Sequence, residues 1–294
     1  MFYFRKGKSL SFKKRAVEII YNLTTDEKDI GLRGTLVESG TSDNLQDAID
    51  FFNKDTDITL IINKVTPEEA MEVIAGVGKN LAVLDCWVSV TDCSALEKCP
   101  KLFSAKFSLG ESIKKIWNVS KNPKLSELVI YNAKELTDIE GLRDSNIENL
   151  TISGGHLAYF DVTEYPKILD ISPITSLKKL KRLEYITAPN PSLVTKDLVL
   201  LSTLSQLEYI KLARNYFTFS QFAWLKSKLP LAKELDASYY FLYQRWDETE
   251  WYAIIGSDMP DWIQDIPENN LDVYFKNFDE LVELYKDSVL PPNE

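Results

Sequence analysis

The sequence predicts an α/β solenoid, a coil of short parallel strands with helices and irregular turns on its outside. Three observations predict it. The stretch Leu207-Glu208-Tyr209-Ile210-Lys211-Leu212-Ala213-Arg214-Asn215-Tyr216-Phe217 reads L-x-x-I-x-L-x-x-N-x-F. Weaker copies of the pattern recur upstream at near-constant spacing, and a strand–helix–strand succession opens the series. Such repeats cannot bury their apolar faces alone, so they must stack.

Residues 1–56 do not repeat. Leu45, Ala48, Ile49 and Phe52 mark a helix that Ser42 or Asp43 can cap. The segment is expected to seal the first coil, because an open solenoid end exposes apolar surface. Asp57–Val65 (DITLIINKV) reads as the first strand. It leads into Thr66-Pro67-Glu68-Glu69, a capping box with proline at the first helical position. Ala70, Val73, Ile74 and Val77 then recur at helical spacing.

Strand starts follow at Leu81, Leu102, Leu125, Ile147, Leu183 and Leu207, in steps of 21, 23, 22, 36 and 24 residues by subtraction. Four of the five steps fall within a period of roughly 20–29 residues. Leu81-Leu84-Cys86, Leu125-Leu128-Ile130 and Ile147-Leu150-Ile152 fill all three strand anchors, the last continuing to Gly155 and Leu157. Leu102-Ala105-Phe107 and Leu183-Ile186-Ala188 are looser. The long step spans residues 158–182, where a degenerate turn around Ile168–Ile171 is favoured over a loop insertion.

After the last copy, Gln221–Leu229 looks helical and would close the series. Residues 236–262 carry eight aromatics, and Ala237–Tyr243 and Trp251–Ile255 read as a hairpin. Phe275, Phe278, Val282, Tyr285 and Val289 then mark a final amphipathic helix. The organisation expected is an N-terminal cap at 1–56, a solenoid at 57–230 and a C-terminal hairpin-and-helix cap at 231–294.

Composition bounds the chemistry. The chain has 294 residues, 45 % hydrophobic and 27 % charged, with net charge −10. That is an ordinary soluble composition, acidic enough to repel nucleic acid. No apolar run approaches the roughly 18 residues of a membrane span. The basic N-terminus (Arg5, Lys6, Lys8, Lys13, Lys14, Arg15) lacks the apolar core of a signal peptide and is read as a solvated cap face. Cys86, Cys93 and Cys99 form no disulfide framework, which favours a reducing, cytoplasmic setting.

Catalysis finds little support. The single histidine, His156, sits in a Gly154-Gly155-His156-Leu157 bend and reads as a turn residue. Gly76-Val77-Gly78-Lys79 lacks the glycine spacing and the Ser or Thr of a phosphate loop, and it follows a helix where that loop follows a strand. No metal-ligand set, cofactor motif or catalytic residue is assigned.

Across about residues 57–230 the chain resembles an irregular bacterial leucine-rich-repeat protein, on the Leu207 stretch and the copies quoted above. The resemblance implies a horseshoe with a parallel inner sheet, and protein binding as its use. It also implies that a turn asparagine satisfies backbone groups at the bend, for which Asn215 is the match. The aromatic hairpin and helix resemble the non-repeat tails of some cytosolic members. The C-x-D nucleophile of leucine-rich-repeat ubiquitin ligases is missing from all three cysteine contexts.

In such a coil, strand positions between anchors face outward, since side chains alternate along a strand. Stacking the copies lines up Glu127, Glu148, Glu184 and Glu208 as an acidic edge. Trp87, Tyr131, Tyr185 and Tyr209 are expected beside it as exposed rings, with Lys211 in the next column. Aromatics bordered by charge suit a protein interface. Trp246, Trp251 and Trp262 offer a secondary surface. The reading is a non-enzymatic cytoplasmic module that binds a protein with a basic surface through the concave face, an immunity or inhibitor protein being one form of it. The alternatives are a self-associating structural protein and an unrecognised hydrolase using C-terminal acids.

Overall fold

A computed structural model describes residues 4–12, 15–21, 35–41, 49, 58–62, 66–110, 112–154, 168–187, 194–213, 216–233, 235, 240–244, 250–253, 255–259, 263–264 and 268–292. Strands β1 (Phe4–Phe12), β2 (Arg15–Tyr21) and β3 (Thr35–Thr41) pair with one another, and β2 runs antiparallel to β4 (Ile58–Ile62). From β4 the sheet continues entirely in parallel. Its members are β5 (Leu81–Val90), β6 (Ser104–Leu109), β7 (Glu127–Tyr131), β8 (Asn149–Ser153), β9 (Arg182–Ile186) and β10 (Tyr209–Leu212). Each strand pairs with the next in the chain, as the stacking of repeats into an α/β solenoid requires.

The register explains the core. Leu60, Leu84, Ala105, Leu128, Leu150, Leu183 and Ile210 form one inward ladder; Ile62, Cys86, Phe107, Ile130, Ile152, Tyr185 and Leu212 form the next. All are buried. A third buried column, Leu81, Leu102, Leu125, Ile147, Leu180 and Leu207, lies at or just before the strand starts.

That register corrects one copy. Leu183 pairs with Leu150 and Ile210, which are second anchors, so Leu183 is itself a second anchor and Leu180 the first. The copy therefore reads Leu180-Leu183-Tyr185, and the sequence alignment had it three residues late. The aliphatic Ile186 drew the match away from the tyrosine that fills the third anchor. The long step contains no extra sheet strand, since β8 pairs directly with β9. Ile168, Ile171, Ile174 and Leu177 instead pack inward on the outer side of that coil, around helix α2 (Ser172–Thr175).

The outer sides differ from coil to coil. Helix α1 (Pro67–Val77) has the capping box that its sequence announces: Thr66 Oγ1 accepts from the Glu69 N–H at 3.2 Å, and Glu69 Oε2 accepts from the Thr66 N–H at 2.8 Å. Gly76 and Val77 lie in its last turn, which disposes of the phosphate-loop resemblance. The middle coils turn through short 3-10 segments, and the next through the single turn of α2, and a side chain opens each. Asp92 accepts from the Ser94 N–H, Asn118 from that of Ser120, Asp138 from that of Glu140, and Asp170 from that of Ser172. Such Asx turns replace the first backbone bond of a turn with a local side-chain bond.

Bends are closed by asparagines that the consensus did not mark. Asn122 is buried; its Nδ2 donates to the Leu96 and Cys99 carbonyls, both at 2.8 Å, and its Oδ1 accepts from the Trp117 indole. Asn132, at a left-handed φ of 51°, donates to the Leu109 carbonyl of the preceding coil at 3.1 Å. Asn215 lies outside the described residues, as do Gly155, His156 and Leu157.

Helix α3 (Val194–Ser202) and helix α4 (Phe219–Lys228) complete the later coils, α4 with a Thr218–Gln221 capping box. Beyond them, β11 (Tyr240–Gln244), β12 (Glu250–Ala253) and β13 (Ile263–Gln264) form a separate antiparallel sheet. The hairpin is thus present, with a third strand that the sequence reading had not foreseen. Helix α5 (Glu268–Tyr285) packs on α4, with Phe278 buried against Phe219 at 5.3 Å between ring centroids. Val289 falls beyond the helix end and is exposed. The Leu45–Phe52 helix is described only at Ile49, which is helical, buried and packed against Gly76. No helix among the described residues is long and apolar enough to cross a membrane.

Candidate binding face

The outward face of the parallel sheet carries two columns between the inward ladders. One runs Val83, Ser104, Glu127, Asn149, Arg182 and Tyr209; the other runs Asp85, Lys106, Val129, Thr151, Glu184 and Lys211. Moving the β9 copy by three residues places Arg182 and Glu184 where the sequence alignment put Tyr185 and Thr187.

Tyr185 is therefore not an exposed ring. It is 1 % accessible, a core residue packed edge-on to Tyr216 at 5.8 Å. Tyr131 is also mostly covered, at 8 %. Trp87 matches expectation, with 56 % of its surface accessible, and Tyr209 is half-buried under the Arg182 guanidinium, 3.5 Å from its ring centroid.

The acidic edge does not form either. Backbone bonds run from Lys181 N to Glu148 O and from Glu208 N to Lys181 O, so Lys181 stands between the two glutamates. Its ammonium bonds Glu148 Oε2 at 2.9 Å. Glu184 pairs with Arg182, and Glu127 accepts from the Ser104 hydroxyl at 2.7 Å. Like charges side by side on a sheet are unfavourable, and the corrected register interleaves cations among them. The face is mixed in charge.

Its centre is a stacked cluster. Lys106 Nζ lies 5.5 Å from the Trp87 ring centroid and 5.6 Å from that of Tyr131, an arrangement in which the ammonium meets the electron-rich ring faces. Burial raises the Asp85 carboxyl above its usual range, against the opposing pull of Lys106 and a hydrogen bond from Trp87. Burial likewise raises the Tyr131 phenol, with Glu184, Asp85 and Glu127 adding to the effect. Three carboxylates, one ammonium and two rings thus converge on one patch of sheet. Asp85 and Lys106 are members of this cluster that the sequence pattern alone does not single out. Arg182 was missed through the register, which Leu180 could have revealed.

All three cysteines are free and buried, and burial pushes the Cys86 thiol up to about 11 and those of Cys93 and Cys99 to about 12, far from a thiolate nucleophile. No cluster of three metal-ligating side chains occurs among the described residues. Trp246 and Trp262 lie outside the described residues; Trp251 is placed only by its backbone, opposite Gln264 in the β12–β13 pair.

No protein-family model matches the chain, and no curated protein matches it. Among solved structures it is similar to internalin C2 from Listeria monocytogenes, at 18 % identity over 63 % of this chain and 71 % of that one, with a TM-score of 0.43. It is similar also to an internalin (inlF) of the same organism, at 17 % identity over 64 % and 71 % of the respective chains, with a TM-score of 0.32.

Proposed function

We propose that the chain is a non-enzymatic binding module that holds a protein partner against the outward face of its parallel sheet. One observation carries the reading: the more than half-exposed Trp87 stacked on Lys106 beside Asp85 and Tyr131. Tryptophan, tyrosine and arginine dominate binding energy at protein interfaces, where a surrounding rim of near-neutral contacts excludes water from them. Arg182 over Tyr209 extends the same chemistry toward β10. Residues 1–56 and 231–294 act in this reading as the two ends of the coil.

The partner's surface is correspondingly mixed. The paired Glu148 and Glu184 leave little local reason for a purely basic partner, so a toxin-neutralising or inhibitory role rests on the net charge of −10 and its effect on encounter rate. The test is capture by wild-type protein and by a Trp87→Ala/Tyr209→Ala variant. Loss of the captured protein with the variant supports the sheet face; equal capture by both sinks it.

A further inference from the structure

Helix α5, the first residue of α4 and the turn at Met259 border an open groove of about 470 Å³ lined by Phe219, Met259, Tyr274, Asn277, Leu281 and Leu284. The helices are fixed to one another: Phe219 meets Phe278, and Lys228 Nζ donates to the Tyr285 and Lys286 carbonyls, each at 2.9 Å. Lys228 thereby caps the C-terminal end of α5, so both ends of α4 are tied to the C-terminal half of α5.

Val273, Asn277, Glu280 and Leu284 follow one another at intervals of four, three and four residues, a single stripe along α5. Val273 is 53 % and Leu284 70 % accessible, although the helix already buries Phe278 on its other side. The stripe is apolar at Val273 and Leu284, with Asn277 and Glu280 between them, and acid lies within and beside it. Glu280 lines the groove, and Asp258, whose Oδ1 accepts from the Phe219 N–H at 2.7 Å, stands beside Met259. Helix α5 carries Glu268, Asp272, Asp279, Glu280 and Glu283 against Lys276 alone. The Lys276–Glu280 pair, at 3.7 Å and mostly exposed, offsets little of that charge.

We infer that this groove is a second docking site, for an amphipathic helical segment of another protein with leucine-type side chains on one face and lysine or arginine flanking them. The apolar lining needs apolar side chains, and the acidic border needs cations beside them. A second copy of this chain is the poorer occupant, because it would bring an equally acidic α5 against the same border.

The probe is a labelled peptide of about sixteen residues, with leucine at i, i+3, i+4, i+7 and i+11 and lysine elsewhere, together with its counterpart carrying glutamate for lysine. Both are titrated against full-length wild type, Leu284→Ser, Glu280→Lys and Trp87→Ala. The lysine peptide should bind wild type and Trp87→Ala alike, and Leu284→Ser and Glu280→Lys at least about tenfold more weakly. The glutamate peptide should not bind. Both groove substitutions are at exposed positions on opposite chemistries, so a shared loss does not report unfolding; matching thermal melts check this. Failure of the lysine peptide to bind, equal binding of the glutamate peptide, or affinity indifferent to both groove variants overturns the inference. So does a wild-type dimer in sedimentation that Leu284→Ser dissociates, which would give the groove to a second copy.

Discussion

Trp117 donates its indole N–H to Asn122 Oδ1 at 2.7 Å, and the same carboxamide turns its two N–H groups to the Leu96 and Cys99 carbonyls of the preceding coil. One buried side chain therefore satisfies three polar groups and ties adjacent coils together. Leaving a buried polar group unpaired costs about 1–3 kcal/mol.

Asn122→Ala should accordingly destabilise the protein by about 3 kcal/mol, since the Trp117 indole loses its partner while the Leu96 and Cys99 carbonyls each keep a backbone donor, from Cys99 and Leu102. Asn122→Asp should be at least as harmful, because it sets carboxylate oxygens against two carbonyls. Chemical denaturation reads both. A loss below about 0.5 kcal/mol for either would show that the coil-to-coil link is not borne by this residue.

Trp117 also sets a limit on the next coil. A Cβ on Gly141 would run into the Trp117 carbonyl oxygen, with the Ile116 side chain close behind. The obstacle is backbone, so it cannot swing aside as a side-chain tip would. Gly141→Ala should cost more than about 2 kcal/mol, against the slight gain that alanine usually brings at an unhindered site. An unchanged melting temperature would mean that the Trp117 and Gly141 segments can part without loss.

Much of this architecture is legible in the sequence. The capping box at Thr66–Glu69, the anchors at Leu81, Leu125 and Ile147, and the amphipathic α5 all follow from local pattern, and local pattern also sets their structure. The errors share a cause. Tyr185 fills an inward position because the third-anchor ladder tolerates a ring where Tyr216 and Thr187 meet it, a fact of tertiary packing. Shifting that copy by three residues exchanged Tyr185 for Arg182 on the candidate face and hid the cations that break the acidic edge. The bend asparagines were also displaced from the consensus place: Asn132 falls one residue early. The Asx openings at Asp92, Asn118, Asp138 and Asp170, in contrast, were readable as a repeating Asp/Asn-x-Ser or Asp-x-Glu.

The two tyrosines of β9 and β10 should separate packing from binding. Tyr185→Ala removes a fully buried ring and should cost about 3–5 kcal/mol. Tyr209→Ala removes a half-buried outward ring whose main described neighbour is the Arg182 guanidinium, and should cost about 1 kcal/mol. Urea denaturation of the two variants distinguishes them. Equal losses would mean that the β9 register is as the linear alignment has it, with Tyr185 facing out.

Behind Tyr185, Tyr216 donates its hydroxyl to Asp197 Oδ2 at 2.8 Å, and both groups are buried. Burial raises the Asp197 carboxyl above its ordinary 3.8, the Tyr216 bond and Lys196 opposing and Asp170 adding to the rise. The folded state thus holds this proton more tightly than the unfolded chain does. Stability from this group is fully present below the unfolded value and falls as pH rises through the folded one. At pH 7 the ionised carboxylate is a cost. Asp197→Asn keeps an acceptor for the Tyr216 hydroxyl and removes the charge, so the variant should match or exceed wild type at pH 7. The difference should shrink on acidification toward pH 4, as wild type takes up its proton. Melting temperatures of the two proteins across pH 4 to 8 give that difference with the other carboxylates cancelled. A variant less stable at neutral pH, with the deficit closing at low pH, would mean that the native state favours the ionised carboxylate and that Tyr216 and Lys196 outweigh burial.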